Sequence, residues 1–297
     1  MILITLPAQF NEQTMYDVLY EVVDDQGVLR DNEFEFDFQR LAIIRPEGLT
    51  CIAHILELLN HRQARFVLRL PTGLDTPSIK YLDDSGFFLR FEGRKLFPSA
   101  SPRNTTFPLS SLTHAESHYW LRERFIVWLA DQLEKPRASL ATLESCLQEI
   151  FNNIRDHSGV TIASIFAQHF PNESHSIRIS ISDFGIGIPS AMRSRFPSYG
   201  DAQAIEQATQ EGVSSRSLPT NRGMGLDQLV RNIVLRNKGR VVIHSGHGKL
   251  ICRQDTSDNL ERIPGTVTGY YPGTLIALYF SAETFVPDEV EREDFEW

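Results

Sequence analysis

Cysteine is scarce: the 297 residues include three, Cys51, Cys146 and Cys252. They stand so far apart that neither a disulfide framework nor a paired zinc spacing can be drawn from them. Each reads as a small buried apolar residue, and a reducing cytoplasm is the expected compartment. A basic balance is lacking too. Lys and Arg total 29 against 38 Asp and Glu, a net charge of −9, which argues against a general nucleic-acid binder, whose footprint is a basic surface. Long hydrophobic runs are missing as well. No stretch reaches the ~18 apolar residues of a membrane span, and the opening Met-Ile-Leu-Ile-Thr-Leu-Pro has no basic leader and too short an apolar run for a signal peptide. No membrane anchor is expected, and neither an internal repeat nor a low-complexity block is present.

What remains, 41% apolar and 23% charged residues, can bury a sizeable core and has room for two domains. The segment Pro98 to Pro108, rich in Pro, Ser, Thr and Asn, separates two differently organised halves, and the boundary is placed near residue 103. The first half predicts a strand over Phe34 to Phe38, then Leu41 to Ile44, a helix from about Pro46 to Asn60, a strand over Phe66 to Leu70 and a helix around Ser78 to Asp84: a small α/β layer domain. The second half opens with helices over about Ala115 to Leu133 and Ser139 to His157. Strands follow at Thr161 to Ala167 and Ser176 to Ser182, where Ile177, Ile179 and Ile181 alternate with Arg178, Ser180 and Ser182. A polar, Ser-rich stretch spans about Pro189 to Asn221. Helical spacing returns from Leu226 to Val234, before strand signals at Arg240 to His244, Lys249 to Arg253 and Thr274 to Phe280. The half reads as a helical layer over a mixed or antiparallel sheet.

Four pieces of the second half carry chemistry. On the helix ending at His157, Leu143, Leu147, Ile150 and Ile154 form the core stripe at about 100° per residue, and Glu149, Asn153 and His157 form a polar ladder on its shoulder. A solvated helix face gives the same pattern. The alternating strand ends in Asp183-Phe-Gly-Ile-Gly-Ile-Pro189. A carboxylate at the end of a rigid strand suits an exocyclic amine such as that of adenine, and Gly185 and Gly187 let backbone approach a ligand closely; an ordinary Asp-Gly turn is the plain alternative. Asn221-Arg-Gly-Met-Gly-Leu226 then opens a helix, where free N–H groups and the positive helix end can meet phosphate oxygens, Arg222 adding a fork of donors. A simple capping loop is the other reading. Last, Pro272-Gly-Thr274 leads into the final strand and alone would be a turn.

In order and spacing, these pieces resemble the N box, the Asp-x-Gly-x-Gly box, the Gly-x-Gly-Leu box and the closing Gly-Thr of the GHKL (Bergerat-fold) family, which includes histidine kinases, anti-sigma serine kinases, mismatch-repair ATPases and a class of heat-shock chaperones. The resemblance covers about residues 104 to 297. It implies a fold class of α/β (α+β) type, with a Bergerat sandwich of helices over a largely antiparallel sheet, and ATP with Mg²⁺ as cofactors. Asn153 would hold Mg²⁺, Glu149 would be the general base, Asp183 would read the adenine amine and Thr274 would support it through water. Gly185, Gly187 and Ile188 would form the pocket floor; Gly223, Gly225 and Leu226 would present the phosphate-binding turn. His157 matches a histidine of the anti-sigma branch. Residues 189 to 222 would be the ATP lid, with Arg216 and Arg222 as its phosphate contacts, and 287 to 297 a solvated acidic tail.

Residues Phe36 to Phe91 are similar to a diverged STAS-type domain, the fold of anti-sigma antagonists. Where such domains commonly carry a phosphorylated serine before a Gly-Leu pair, this chain has Glu47, a fixed negative charge. No histidine stands in a dimerisation segment: His54 falls in the STAS-like helix and His114 in the linker, which argues against a conventional sensor histidine kinase. The resemblance implies an anti-sigma-type serine/threonine kinase or partner-switching ATPase, or alternatively an ATP-gated interaction module with little phosphotransfer. A protein partner is expected in either case, a STAS-like antagonist, sigma factor or effector, and a homodimer is compatible with both.

Overall fold

The computed structural model describes residues 1–157, 162–212 and 225–289. In chain order the elements are β1 (Ile2–Thr5), β2 (Gln9–Phe10), α1 (Met15–Val22), β3 (Glu33–Asp37), β4 (Ile43–Ile44), α2 (Pro46–His61), β5 (Arg65–Arg69), α3 (Pro77–Asp84), α4 (Phe87–Phe91) and β6 (Thr106–Thr113). Then come α5 (His114–Trp120), running through a π turn into α6 (Ile126–Leu133), α7 (Ala141–His157), β7 (Ile162–Phe170), β8 (Ser176–Asp183), α8 (Gly187–Met192), α9 (Asp201–Ala208), α10 (Gly225–Arg231), β9 (Arg240–Gln254) and β10 (Leu260–Ser281). The fold is α+β. A parallel sheet β1-β3-β5 precedes an antiparallel sheet of order β6-β7-β8-β10-β9, beside a short β2-β4 pair.

Alternation along β8 sorts the large sheet's two faces. Ile177, Ile179 and Ile181 join Ile165, Ile243, Ile276 and Leu278 in a core with α6, α7 and α10, to which Leu143, Leu147, Ile150 and Ile154 contribute as expected. The opposite face, where Arg178, Ser180 and Ser182 read as a polar side, is not solvated: Ser180 and Ser182 are buried. Helices α1 and α2 lie on it, α1 against β10 and α2 against β7 and β8. Helix α2 is buried on nearly every side, in keeping with its all-round apolar sequence, because β5 packs on it as well. The second core accordingly joins Phe34, Phe36, Leu49, Ile52 and Leu56 of the first half to Leu109, Phe166, Tyr271 and Leu275 of the second. Hydrophobic contact thus crosses residue 103.

Other differences from the sequence reading have local causes. The two strand signals at Arg240 to His244 and Lys249 to Arg253 belong to one strand, β9, since Gly246 and Gly248 stay in the ladder, where Ala202 and Ile205 of α9 press against Gly248. Helices α8 and α9 occupy part of the polar stretch after Pro189; Ile205 is fully buried, and Asp201 accepts a hydrogen bond from His247 N–H at 2.8 Å. The stretch from 213 to 222 lies outside the described residues. Asp288, in the segment expected to be solvated, accepts from Thr142 N–H and Oγ1–H at 2.7 and 2.9 Å and pairs with Arg236. Residues 290–297 lie outside the described set.

Candidate functional site

Strand β8 delivers Asp183 to its last position, opposite Thr274 of β10, which in turn pairs with Ser245 of β9. These three side chains therefore share one face of the sheet across three adjacent strands. The Asp183 carboxyl is buried, and its Oδ1 accepts from Gly185 N–H at 2.8 Å. Among the described residues no cation pairs with it, and burial pushes its pKa up to about 7. A desolvated carboxyl without a countercharge is costly unless a ligand compensates it, and such groups mark functional sites.

Around it the backbone is packed beyond what a side chain would allow. Gly187 has φ +78°, and a Cβ there would stand 2.7 Å from Ser245 Oγ and 3.0 Å from the Gly273 carbonyl. Gly273 has φ +89°, and its Cβ would overlap the Asp183 carbonyl. Ser245, a residue no motif singled out, ties these pieces together. Its hydroxyl donates to the Gly273 carbonyl at 2.6 Å, accepts from Ile188 N–H at 3.0 Å and lies 3.3 Å from Thr274 Oγ1. Sequence gave no signal for it beyond a serine amid apolar strand residues.

A second group forms where α7 meets α10. Gly225 opens α10 directly against Glu149: an ideal Cβ on Gly225 would overlap Glu149 Cγ and lie 2.8 Å from its Cβ. Asn153 follows one turn after Glu149, both only partly buried, and Asn152 Nδ2–H reaches Glu149 Oε2 at 3.4 Å. Ile188 and Leu226 both pack on the core beneath the helices. The structure thus brings Asp183, Gly185, Gly187, Ile188 and Thr274 together at one end of the sheet, and Glu149 and Gly225 together at a helix contact, with Asn153 alongside. The His157 side chain, Arg216, Arg222 and Gly223 lie outside the described residues.

No cluster of three or more His, Cys, Asp or Glu groups able to cage a metal occurs among the described residues. Asn153 nonetheless fits Mg²⁺ in kind: an amide oxygen partly open to water suits an ion that keeps several waters and shares phosphate oxygens.

No protein-family model matches the chain, and no curated protein does. Among solved structures, it is similar to one titled "Crystal Structure of N terminal domain of a DNA repair protein", at 15% identity over 34% of this chain and 26% of that chain, with a TM-score of 0.15. The match spans about a quarter of that chain's length, and a likeness this low carries no argument.

Proposed function

We infer that this chain binds Mg-ATP in a GHKL-type pocket within residues 104–297 and serves as a nucleotide-dependent regulatory protein in the cytoplasm. The observation that carries the reading is Asp183: buried at the end of a strand, without a cationic partner among the described residues, and packed closely by backbone at Gly187 and Gly273, where no side chain fits. Its carboxylate would accept from the adenine amine, with Thr274 beside it. Asn153 would hold Mg²⁺, which when bound neutralises charge between phosphates, with Glu149 one helical turn away as the general base. The main-chain N–H groups around Gly225 would face the phosphates, as would Arg216, Arg222 and Gly223 of the lid segment and His157 at the end of α7.

Two uses of the nucleotide follow. In the first, Glu149 would accept the proton of a partner's hydroxyl while that oxygen attacks the γ-phosphorus in line, the bond to the β–γ bridging oxygen breaks and ADP leaves, as in an anti-sigma-type serine/threonine kinase acting on a STAS-like antagonist, sigma factor or effector. In the second, nucleotide gates a protein interface with little transfer. The second is favoured by the burial of α2, the helix of the STAS-like half, between β5 and the large sheet. Glu47, at the position of the phosphorylated serine in STAS domains, is buried there, and burial holds its carboxyl above the ordinary carboxylate range. Buried in this way, it is not an exposed phosphate mimic.

Titration of the wild type and Asn153→Ala with ATP, with and without Mg²⁺, and tracking of a labelled γ-phosphate, test the reading. Label moving to protein selects the kinase; tight binding with label retained on ATP selects the gate. Absence of any nucleotide binding rejects both.

A further inference from the structure

Both helices laid on the back of the large sheet are fastened there by a histidine and a hydroxyl. Tyr16 of α1 bonds His244 of β9 at 2.9 Å, and His54 of α2 bonds Ser182 of β8 at 3.0 Å. The second bond lies one residue from Asp183. Ser182 Oγ also lies 2.8 Å from Tyr271 Oη and donates to the Thr274 carbonyl at 3.1 Å. A hydroxyl has one proton and two lone pairs. A carbonyl only accepts, so Ser182 donates to Thr274, and Tyr271 Oη and His54 Nδ1 complete the hydrogen bonding of its oxygen, the His54 tautomer setting which end of that bond carries the proton. All three capacities are used. Two residues earlier on the same strand and face, Ser180 Oγ is equally buried and has no hydrogen-bond partner among the described residues, so the saturation of Ser182 is not a general property of that face.

The Ser182–Thr274 bond runs diagonally between β8 and β10 at the level where Asp183 and Thr274 are paired. Tyr271 reaches Ser182 on the back face of the sheet from β10, and His54 reaches it from the other half of the chain, stacked on Tyr271 with centroids 5.0 Å apart. We propose that His54 is a positioning residue for the nucleotide site: through Ser182 it sets the spacing of Asp183 and Thr274, and so couples the seating of α2 to recognition of the adenine amine. The proposal rests on the nucleotide reading above. By reciprocity, whatever strengthens the docking of α2 through this bond tightens the site for adenine, and a bound adenine tightens the docking.

The test compares binding of ATP and ITP, which carries a carbonyl in place of the exocyclic amine, across wild type, Ser182→Ala, His54→Leu, the double variant and His54→Asn. Ser182→Ala is the smallest change and keeps the sheet's packing; His54→Leu keeps apolar volume, and His54→Asn returns an N–H near the Nδ1 position. Losing one net hydrogen bond corresponds to about three- to tenfold. The expected result is that Ser182→Ala and His54→Leu each narrow the ATP-over-ITP preference by that factor, that the double variant narrows it no further, and that His54→Asn recovers part of it. Equal weakening of ATP and ITP would mean that His54 only holds the fold, and would overturn the proposal, as would an unchanged preference in Ser182→Ala. If the wild type binds neither nucleotide, the nucleotide reading itself fails and this inference with it; if it binds both with an unaltered ratio in every variant, only this inference fails.

Discussion

A methyl group at position 225 would be aimed at Glu149. The ideal Cβ overlaps Glu149 Cγ and lies 2.8 Å from Glu149 Cβ, whereas carbon atoms rest at about 3.5–4.0 Å. The Cγ overlap is relieved by turning the Glu149 side chain, and the Cβ contact by parting α7 and α10 by several tenths of an ångström. Overpacking of this size costs about 1–3 kcal/mol, and alanine in place of glycine at the helix start returns up to about 1 kcal/mol. Gly225→Ala should therefore fold, with a modest loss of thermal stability. Glu149, however, is driven from its place beside Asn153. Disturbing one charge-assisted interaction corresponds to about 1.5–3 kcal/mol, or roughly ten- to a hundredfold in affinity. Calorimetric titration with ATP should show that loss with Mg²⁺ present and a change of less than about threefold in EDTA. Equal losses with and without Mg²⁺, or no loss in either, would refute the assignment of Glu149 to the metal side of the site.

Gly273→Ala should behave in the opposite way: with φ +89° and a Cβ overlapping the Asp183 carbonyl, it should cost about 3 kcal/mol or more and lower the melting temperature by several degrees, measurable by circular dichroism. Nucleotide binding should take up the pH dependence of Asp183. With the Asp183 carboxyl raised to about 7 and the adenine amine favouring the ionised form, affinity should rise up to about tenfold per pH unit below 7 and level off above it. Binding at pH 6 should release a proton, so its enthalpy should vary with the buffer's ionisation enthalpy; a buffer-independent enthalpy would count against the pairing. His244 is held neutral by burial, its pKa lowered from 6.5 to about 3. The unfolded chain therefore binds the proton first, and this group's contribution to stability is present above pH 6.5 and drains away toward pH 3. Urea titrations between pH 6 and 4 should show His244→Phe losing stability less steeply than wild type, by about 1.4 kcal/mol per pH unit.

The elements that bury one apolar stripe were legible from periodicity. The stripe of α7 and the isoleucines of β8 lie where spacing placed them, because a single face decided each, and α2 was marked by an apolar run on all sides. What escaped was decided by contacts distant in sequence. Alternation put Arg178, Ser180 and Ser182 on the face opposite the isoleucines, but not what covers that face; here they floor the bed in which α2 lies. Strand β6 begins within a Pro- and Ser-rich segment and is held as an edge strand by β7, not by propensity. In the candidate site, Asp183, the glycines and Thr274 were visible because a close backbone approach restricts the residue type. Ser245, Ser182 and His54 were not, since a serine or histidine that matters only through a hydrogen bond across the sheet leaves no spacing to read.

The most direct test of the central claim is titration of the wild type and Asp183→Asn with Mg-ATP in parallel. The account predicts saturable binding by the wild type and a loss of at least about tenfold in Asp183→Asn, whose amide can offer the adenine amine only a neutral acceptor in place of a charged one. Equal affinities in the two proteins, or no binding by a folded wild type, would contradict it.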